Sequence, residues 1–78
     1  MNKIKKGGAT SMINSELLEK HIKESGYKKN FIAEKLGITP YAFSLKICGI
    51  NEFKGSEIKM LMALLKLNFT DTQKIFFN

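Results

Sequence analysis

The chain has 78 residues, which is enough for one small domain with a thin core. Hydrophobic residues make up 44% of it, a share that predicts a folded chain. No apolar run approaches the roughly 18 residues that read as a membrane-spanning helix, so no membrane association is expected. The single cysteine, Cys48, cannot form an internal disulfide. We therefore expect a protein of the reducing cytoplasm.

The charge is basic and unevenly distributed. The net charge is +6, and every positive side chain is a lysine. Residues 1–12 carry +3, residues 26–54 carry another +3, and the remaining stretches cancel. This distribution is typical of a polyanion binder, although a solvated basic face would look the same. Because Gly7-Gly8 interrupt the first stretch, we predict a flexible basic arm or leader over 1–12 and a domain over 13–78.

The first two predicted helices have clear start and stop signals. Helix 1 runs from about Ser15 to Ser25, with Asn14 as its N-cap and Gly26 placed to end it. Helix 2 covers about Lys29 to Leu36 and stops at Gly37. A glycine favours both ends because the chain leaves a helix most easily through a left-handed residue.

The third predicted helix begins after Thr39, an N-cap followed by Pro40 at the first helical position. It ends at Cys48, with Gly49 just beyond. Phe43 and Ile47 lie four residues apart, which predicts an inner face.

Two further helices are predicted after it. Helix 4 starts after Ser56 and has an apolar stripe at helical spacing, and Asn68 is its expected terminator. A capping box formed by Thr70 and Gln73 predicts a short fifth helix over Asp71–Phe76. The fold class is therefore all-α with five short helices.

Helices 2 and 3 have the features of a helix-turn-helix. Ala33 is small where the two helices cross, Gly37 opens the turn, Phe43 fills the angle, and Gly49 releases the chain. The run Ile32–Thr39, followed by Phe43-Ser44 and Gly49, resembles the Cro/repressor-type family of phage and bacterial regulators, also called the xenobiotic-response-element family.

The resemblance implies a lambda-repressor-like bundle with the helix-turn-helix in helices 2 and 3. It also implies sequence-specific binding of double-stranded DNA by a small transcriptional regulator of phage or prophage type. Regulators with this motif commonly bind two half-sites as two-fold dimers, so a homodimer is a further expectation. No cofactor and no small-molecule substrate are expected.

The chain departs from the family pattern at several positions. Lys28 stands where a serine or threonine cap is common, and Lys29 where glutamine is common. Lys46 occupies a usually apolar position, whose packing role we assign to Ile47. The base-reading glutamines near the start of helix 3 are missing, and Pro40 and Tyr41 stand in their place.

In this motif the outer face and N-terminal end of the second helix enter the major groove. Base contacts are predicted for Thr39, Tyr41, Ala42, Leu45 and Lys46, with Ala42 and Leu45 against thymine methyl groups and Lys46 at guanine acceptors. Phosphate contacts are predicted for Lys28, Lys29, Thr39 and Ser44.

Three of these assignments have alternatives. Tyr41 could pack on helix 2, Leu45 could belong to an interface or be merely exposed, and an outward Lys46 could anchor phosphate instead. We predict that Lys46→Glu weakens DNA binding and preserves the fold.

Other features favour recognition over catalysis. One histidine and one cysteine provide no metal spacing and no nucleophile–base pair, so an enzyme is not expected. His21 is predicted at the core boundary, and Cys48 as a small packing residue. An apolar surplus in helices 4 and 5 could complete the core or form a dimer interface; it comprises Met60, Leu64, Phe69, Phe76 and Phe77.

Two rival functions remain. The same apolar surplus could belong to an antitoxin or anti-regulator that acts mainly by protein–protein interaction through its C-terminal helices. Binding of RNA or single strands is disfavoured because the chain has no basic stretch interleaved with stacking aromatics.

Overall fold

The computed structural model describes residues 13–77 and contains five α-helices there: α1 (Ser15–Ser25), α2 (Lys29–Leu36), α3 (Pro40–Ile47), α4 (Gly55–Leu65) and α5 (Phe69–Phe76). No β-strand occurs in this range, so the all-α, five-helix prediction is confirmed. None of the helices in residues 13–77 is long and apolar enough to cross a membrane. The arm predicted over residues 1–12 lies outside the described residues.

The ends of the first three helices follow local sequence signals. The Asn14 side chain accepts a hydrogen bond from the Leu17 amide at 3.0 Å, and Thr39 Oγ1 accepts one from the Ala42 amide at 3.0 Å. Gly26 and Gly37 have φ values of 80° and 76°, the left-handed backbone that glycine adopts at little steric cost. These caps confirm the predicted starts of α1 and α3 and the predicted stops of α1 and α2.

The last two helices begin elsewhere than predicted. Helix α4 starts at Gly55, ahead of the predicted cap Ser56, because the Glu57 carboxylate accepts a hydrogen bond from the Lys54 amide at 2.8 Å. Helix α5 starts at Phe69 and is capped by Asn68, whose side chain accepts from the Asp71 amide at 2.7 Å. Asn68 therefore opens α5 and does not terminate α4.

A non-glycine residue ends α4. Lys66 adopts a left-handed backbone with φ 55°, and the next amide, that of Leu67, donates to the Met62 carbonyl at 2.9 Å. Leu67 itself is buried, which is the hydrophobic contact that accompanies this type of helix end. The burial of Leu67 therefore stabilises a turn that lysine alone would disfavour.

The core is formed by ten buried apolar residues from all five helices and from the turn after α4: Leu18, Ile22, Ile32, Ala33, Phe43, Ile47, Leu61, Leu65, Leu67 and Ile75. Three phenylalanine rings in contact extend this core. Phe53, in the loop between α3 and α4, lies 6.1 Å from Phe43 and 5.4 Å from Phe76 between ring centroids, in edge-to-face contacts. The loop is thus packed onto the core.

The start of α1 is joined to the ends of two other helices. The Asn14 amide donates to the Ile75 carbonyl of α5 at 2.7 Å, and Ser15 Oγ donates to the Ile47 carbonyl of α3. The first bond ties the start of α1 to α5, and the second ties it to the last turn of α3.

Several predictions of burial are settled by the structure. His21 is half-buried, as predicted for a boundary residue. Cys48 is exposed, so its predicted packing role is wrong. Phe76 and Leu64 are half-buried against the core, whereas the rest of the apolar surplus is exposed: Met60, Phe69 and Phe77.

Candidate nucleic-acid interface

Helices α2 and α3 form a helix-turn-helix. They pack against each other and are joined by only three residues, Gly37 to Thr39. The Ile38 amide donates to the Ala33 carbonyl at 3.0 Å, which closes the turn on the end of α2. Ala33 and Phe43 are both fully buried. The small residue and the aromatic ring both belong to the hydrophobic core, as expected for residues where two helices pack.

The two sides of α3 differ sharply. Successive residues of an α-helix are turned by about 100°, so positions three and four apart share a side. Phe43, Lys46 and Ile47 are buried on the inner side. Tyr41 is 74% exposed on the opposite side, next to the exposed Ser44 and the half-buried Leu45. We call the outward residues Thr39, Tyr41, Ala42, Ser44 and Leu45 the outer face of α3.

The structure resolves one of the alternatives on this face, that of Tyr41. Tyr41 is too exposed to pack on α2 and points to solvent. Leu45 is half-buried, so its position is constrained by its neighbours while part of its side chain stays accessible. Its carbonyl also accepts from the amides of Ile50 and Asn51, at 2.9 and 3.3 Å, which fixes the backbone there.

The hydroxyl groups of the outer face keep part of their hydrogen-bonding capacity. Thr39 Oγ1 accepts from the Ala42 amide, and its own hydrogen remains free to donate. Ser44 Oγ donates to the Tyr41 carbonyl at 2.7 Å, and its oxygen remains free to accept. Both residues can thus cap or stabilise α3 and still contact a polar ligand.

The predicted outward placement of Lys46 is wrong. Only 9% of the residue is exposed, and its Nζ lies 2.6 Å from Glu57 Oε1 and 2.8 Å from Glu57 Oε2. Position 46 belongs to the inner side of α3, and the first turn of α4 supplies a carboxylate opposite it. Lys46→Glu would therefore place two carboxylates together in the interior. We now expect it to disrupt the fold rather than preserve it.

Glu57 holds this buried charge in place. Burial raises the pKa of the Glu57 carboxyl, but the hydrogen bonds from Lys46 and from the Lys54 amide, together with both lysine charges, outweigh it. The net result is a pKa below the ordinary value of 4.5. The Glu57 carboxyl is therefore ionised at neutral pH. Every buried side-chain nitrogen and oxygen in residues 13–77 has a hydrogen-bond partner.

The two lysines at the start of α2 differ from each other. Lys29 Nζ lies 2.9 Å from Glu19 Oε1 of α1, and both side chains are about half exposed. Lys28 is exposed at the N-cap position of α2 and makes no side-chain cap. Its ammonium group is therefore the less compensated of the two.

These ion pairs change the electrostatic picture drawn from the sequence. Two of the five lysines in residues 26–54, Lys29 and Lys46, are neutralised by acids that lie outside that stretch, Glu19 and Glu57. The local excess of three charges therefore falls to one. Sequence segments alone could not show this, because both partners are brought in by folding.

One surface feature beside the helix-turn-helix was not anticipated. The rings of Tyr27 and Phe31 lie 5.0 Å apart, and Lys35 Nζ stands 5.3 Å from the Phe31 centroid. Tyr27 lies just before α2 and Phe31 within it, and both rings are partly exposed. The four-residue spacing of these three residues is the signal that would have revealed them.

No group of three or more histidine, cysteine, aspartate or glutamate side chains within residues 13–77 could hold a metal ion. No protein-family model, curated protein or solved structure matches the chain. Function is therefore inferred from α2, α3 and their side chains.

Proposed function

We propose that this protein binds double-stranded DNA sequence-specifically, as a small transcriptional regulator, with the outer face of α3 in the major groove. The observation that carries the proposal is the uncovered outer face of α3 within a compact helix-turn-helix. An α-helix fits the major groove, and this motif presents its second helix in that way. The proposed activity is recognition without a cofactor.

Phosphate contacts support the docking at the edge of this face. Lys28 is exposed at the start of α2, and the first-turn amides of α2 have no side-chain cap. Such amides and a nearby ammonium group favour a phosphate oxygen. Lys29, Thr39 and Ser44 are the other proposed phosphate contacts. Lysine–phosphate contacts release counterions, so affinity should fall steeply with added salt.

Base contacts are proposed for the remaining outer-face residues, Tyr41, Ala42 and Leu45. Lys46 is excluded from this set because its ammonium group is buried against Glu57. The exposed ring of Tyr41 is the largest group that α3 offers to a ligand.

A matched pair of aromatic variants tests the proposal. Duplexes would first be selected from a random pool at fixed salt and then titrated by fluorescence anisotropy. Tyr41 is 74% exposed on α3 and Phe69 is 78% exposed on α5, so replacing either with alanine should leave the fold intact. We expect Tyr41→Ala to weaken binding by about tenfold, as for loss of one base-reading side chain, and Phe69→Ala to leave it unchanged.

The opposite pattern, or no duplex recovered from the pool, would overturn the proposal. It would favour the second candidate, an antitoxin or anti-regulator that acts by protein–protein interaction. The observation behind that candidate is the exposure of Met60, Phe69 and Phe77 in and after the C-terminal helices. Its own test is loss of a protein partner on Phe69→Ala but not on Tyr41→Ala.

A further inference from the structure

The outer face of α3 has no charged side chain. Lys46 is the only charged residue between Pro40 and Ile47, and its Nζ lies within 2.8 Å of both carboxylate oxygens of Glu57. It is buried on the inner side of the helix and cannot swing out without leaving Glu57 buried alone. Helix α3 therefore offers no cation to the O6 and N7 acceptors of guanine, the contact that lysine and arginine usually make.

What the outer face does offer is apolar groups together with hydroxyls. Ala42 and Leu45 present methyl groups, and Tyr41 presents an exposed ring. The three hydroxyls, of Thr39, Tyr41 and Ser44, discriminate weakly because a hydroxyl can pair with several base edges. In the major groove the C5-methyl group of thymine is the apolar group that distinguishes one base from the others.

Leu45 is the best placed of these residues. It is half-buried, and its carbonyl is held by two amides of the following loop. On such a fixed backbone, an apolar contact made by this side chain does not require a loop to be ordered on binding. Ala42 lies one turn earlier in the helix and extends the same apolar strip.

We propose that α3 selects its DNA sites through the C5-methyl groups of thymine, with Leu45 as the main specificity-determining residue and Ala42 beside it. This inference rests on the proposed DNA binding and adds the class of base that is read. The selected sites share thymines at fixed positions, and α3 makes no lysine or arginine contact to guanine.

Replacement of thymine by deoxyuridine tests the inference without any protein variant. Deoxyuridine lacks only the C5-methyl group and keeps the same pairing and the same O4 acceptor. Duplexes selected from the random pool would be resynthesised with deoxyuridine at each shared thymine in turn. Loss of one buried methyl group should weaken binding about fourfold at each contacted position.

Two variants then assign the effect. Leu45→Ala should bind the thymine and deoxyuridine duplexes with nearly equal affinity at the position that Leu45 reads. Lys28→Ala, which removes a phosphate contact, should weaken both duplexes alike and keep their ratio. Circular dichroism of each variant would confirm that the helical content is unchanged.

The possible failures are distinguishable. If no duplex is recovered from the pool, the proposed function is overturned, and methyl reading with it. If duplexes are bound but deoxyuridine is tolerated at every position, or the selected sites share no thymine, only the methyl reading is overturned. Equal fourfold losses in the wild type and in Leu45→Ala would overturn the assignment to Leu45.

Discussion

Two lysine–glutamate pairs with similar geometry lie in very different surroundings. Lys29 and Glu19 join α2 to α1 at 2.9 Å, with side chains 50% and 45% exposed. Lys46 and Glu57 join α3 to α4 at 2.6 Å, with side chains 11% and 6% exposed. The residue types and the contact distances are nearly the same. The pairs differ chiefly in the access of water, and Glu57 also accepts a hydrogen bond from the Lys54 amide. The comparison therefore shows mainly the effect of burial on an ion pair.

Because they differ in exposure, the two pairs have separate roles. An exposed pair contributes between zero and about 1 kcal/mol, because water screens it and two long side chains lose freedom. A buried pair adds little net stability over an apolar pair, but loss of one partner leaves an uncompensated charge. The exposed pair therefore adjusts the surface charge near the start of α2. The buried pair links the inner side of α3 to the first turn of α4, beside the buried Phe43 and Ile47.

The largest expected effect is that of Glu57→Ala. The change leaves the buried ammonium group of Lys46 without its ion-pair partner and the Lys54 amide without its carboxylate acceptor. We expect the free energy of unfolding to fall by about 3–5 kcal/mol, measured by urea denaturation followed by circular dichroism. Such a loss is a large part of the stability of so small a domain.

The matched control for this variant is Glu19→Ala at the exposed pair, which should cost less than about 1 kcal/mol. A second control replaces both buried partners, Lys46→Met with Glu57→Leu, and should cost less than either single change because no charge is then left alone. Equal losses at positions 19 and 57 would refute the contrast between the two pairs.

A smaller effect is expected from acid. The pKa of Glu57 is lower in the folded protein than its ordinary value of 4.5. The unfolded chain therefore binds the proton more readily, and this carboxylate contributes stability above pH 4.5 that is lost as the pH falls through the folded pKa. Urea midpoints measured from pH 7 downward should decline in this acidic range for the wild type.

Glu57→Gln separates this carboxylate from the other acids of the chain. The variant should have a lower urea midpoint than the wild type at neutral pH, and its midpoint should fall less on acidification. Parallel pH profiles for the two proteins would show that Glu57 does not control the acid sensitivity.

The smallest change in stability is expected for Glu19→Gln, less than about 1 kcal/mol. If the start of α2 contacts phosphate as proposed, the same variant frees the Lys29 ammonium group and should tighten duplex binding at low salt. The gain should shrink as salt rises, since the interaction is screened. Anisotropy titrations at several salt concentrations measure both trends; weaker binding by this variant would argue against a phosphate contact at Lys29.

The sequence predicted what local chemistry determines. Asn14, Gly26, Gly37 and the pair Thr39-Pro40 act on their own turns, so the bounds of α1 and α2 and the start of α3 could be located. The glycine turn and the core residues of the helix-turn-helix were also predicted. Contacts of this kind span only a few residues and leave a recognisable pattern.

Contacts between elements were not predictable in the same way. Lysine is rarely buried, so residue type alone places Lys46 at the surface. Its partner Glu57 lies in the next helix and was not singled out. Phe53 lies in an irregular loop with no periodicity to mark it as a bridge between Phe43 and Phe76. The Lys46–Glu57 pair and the Phe53 contacts arise from the tertiary fold. The sequence pattern of one helix or loop does not reveal contacts between separate elements.

The buried pair also has a consequence for how this sequence can change over generations. A substitution at position 46 alone or at position 57 alone gives a poorly folded protein. Apolar residues at both positions together are compatible with the same packing. Substitutions at the two positions are therefore expected to be correlated. In descendants of this chain, an apolar residue at position 46 should be accompanied by the loss of the acid at position 57.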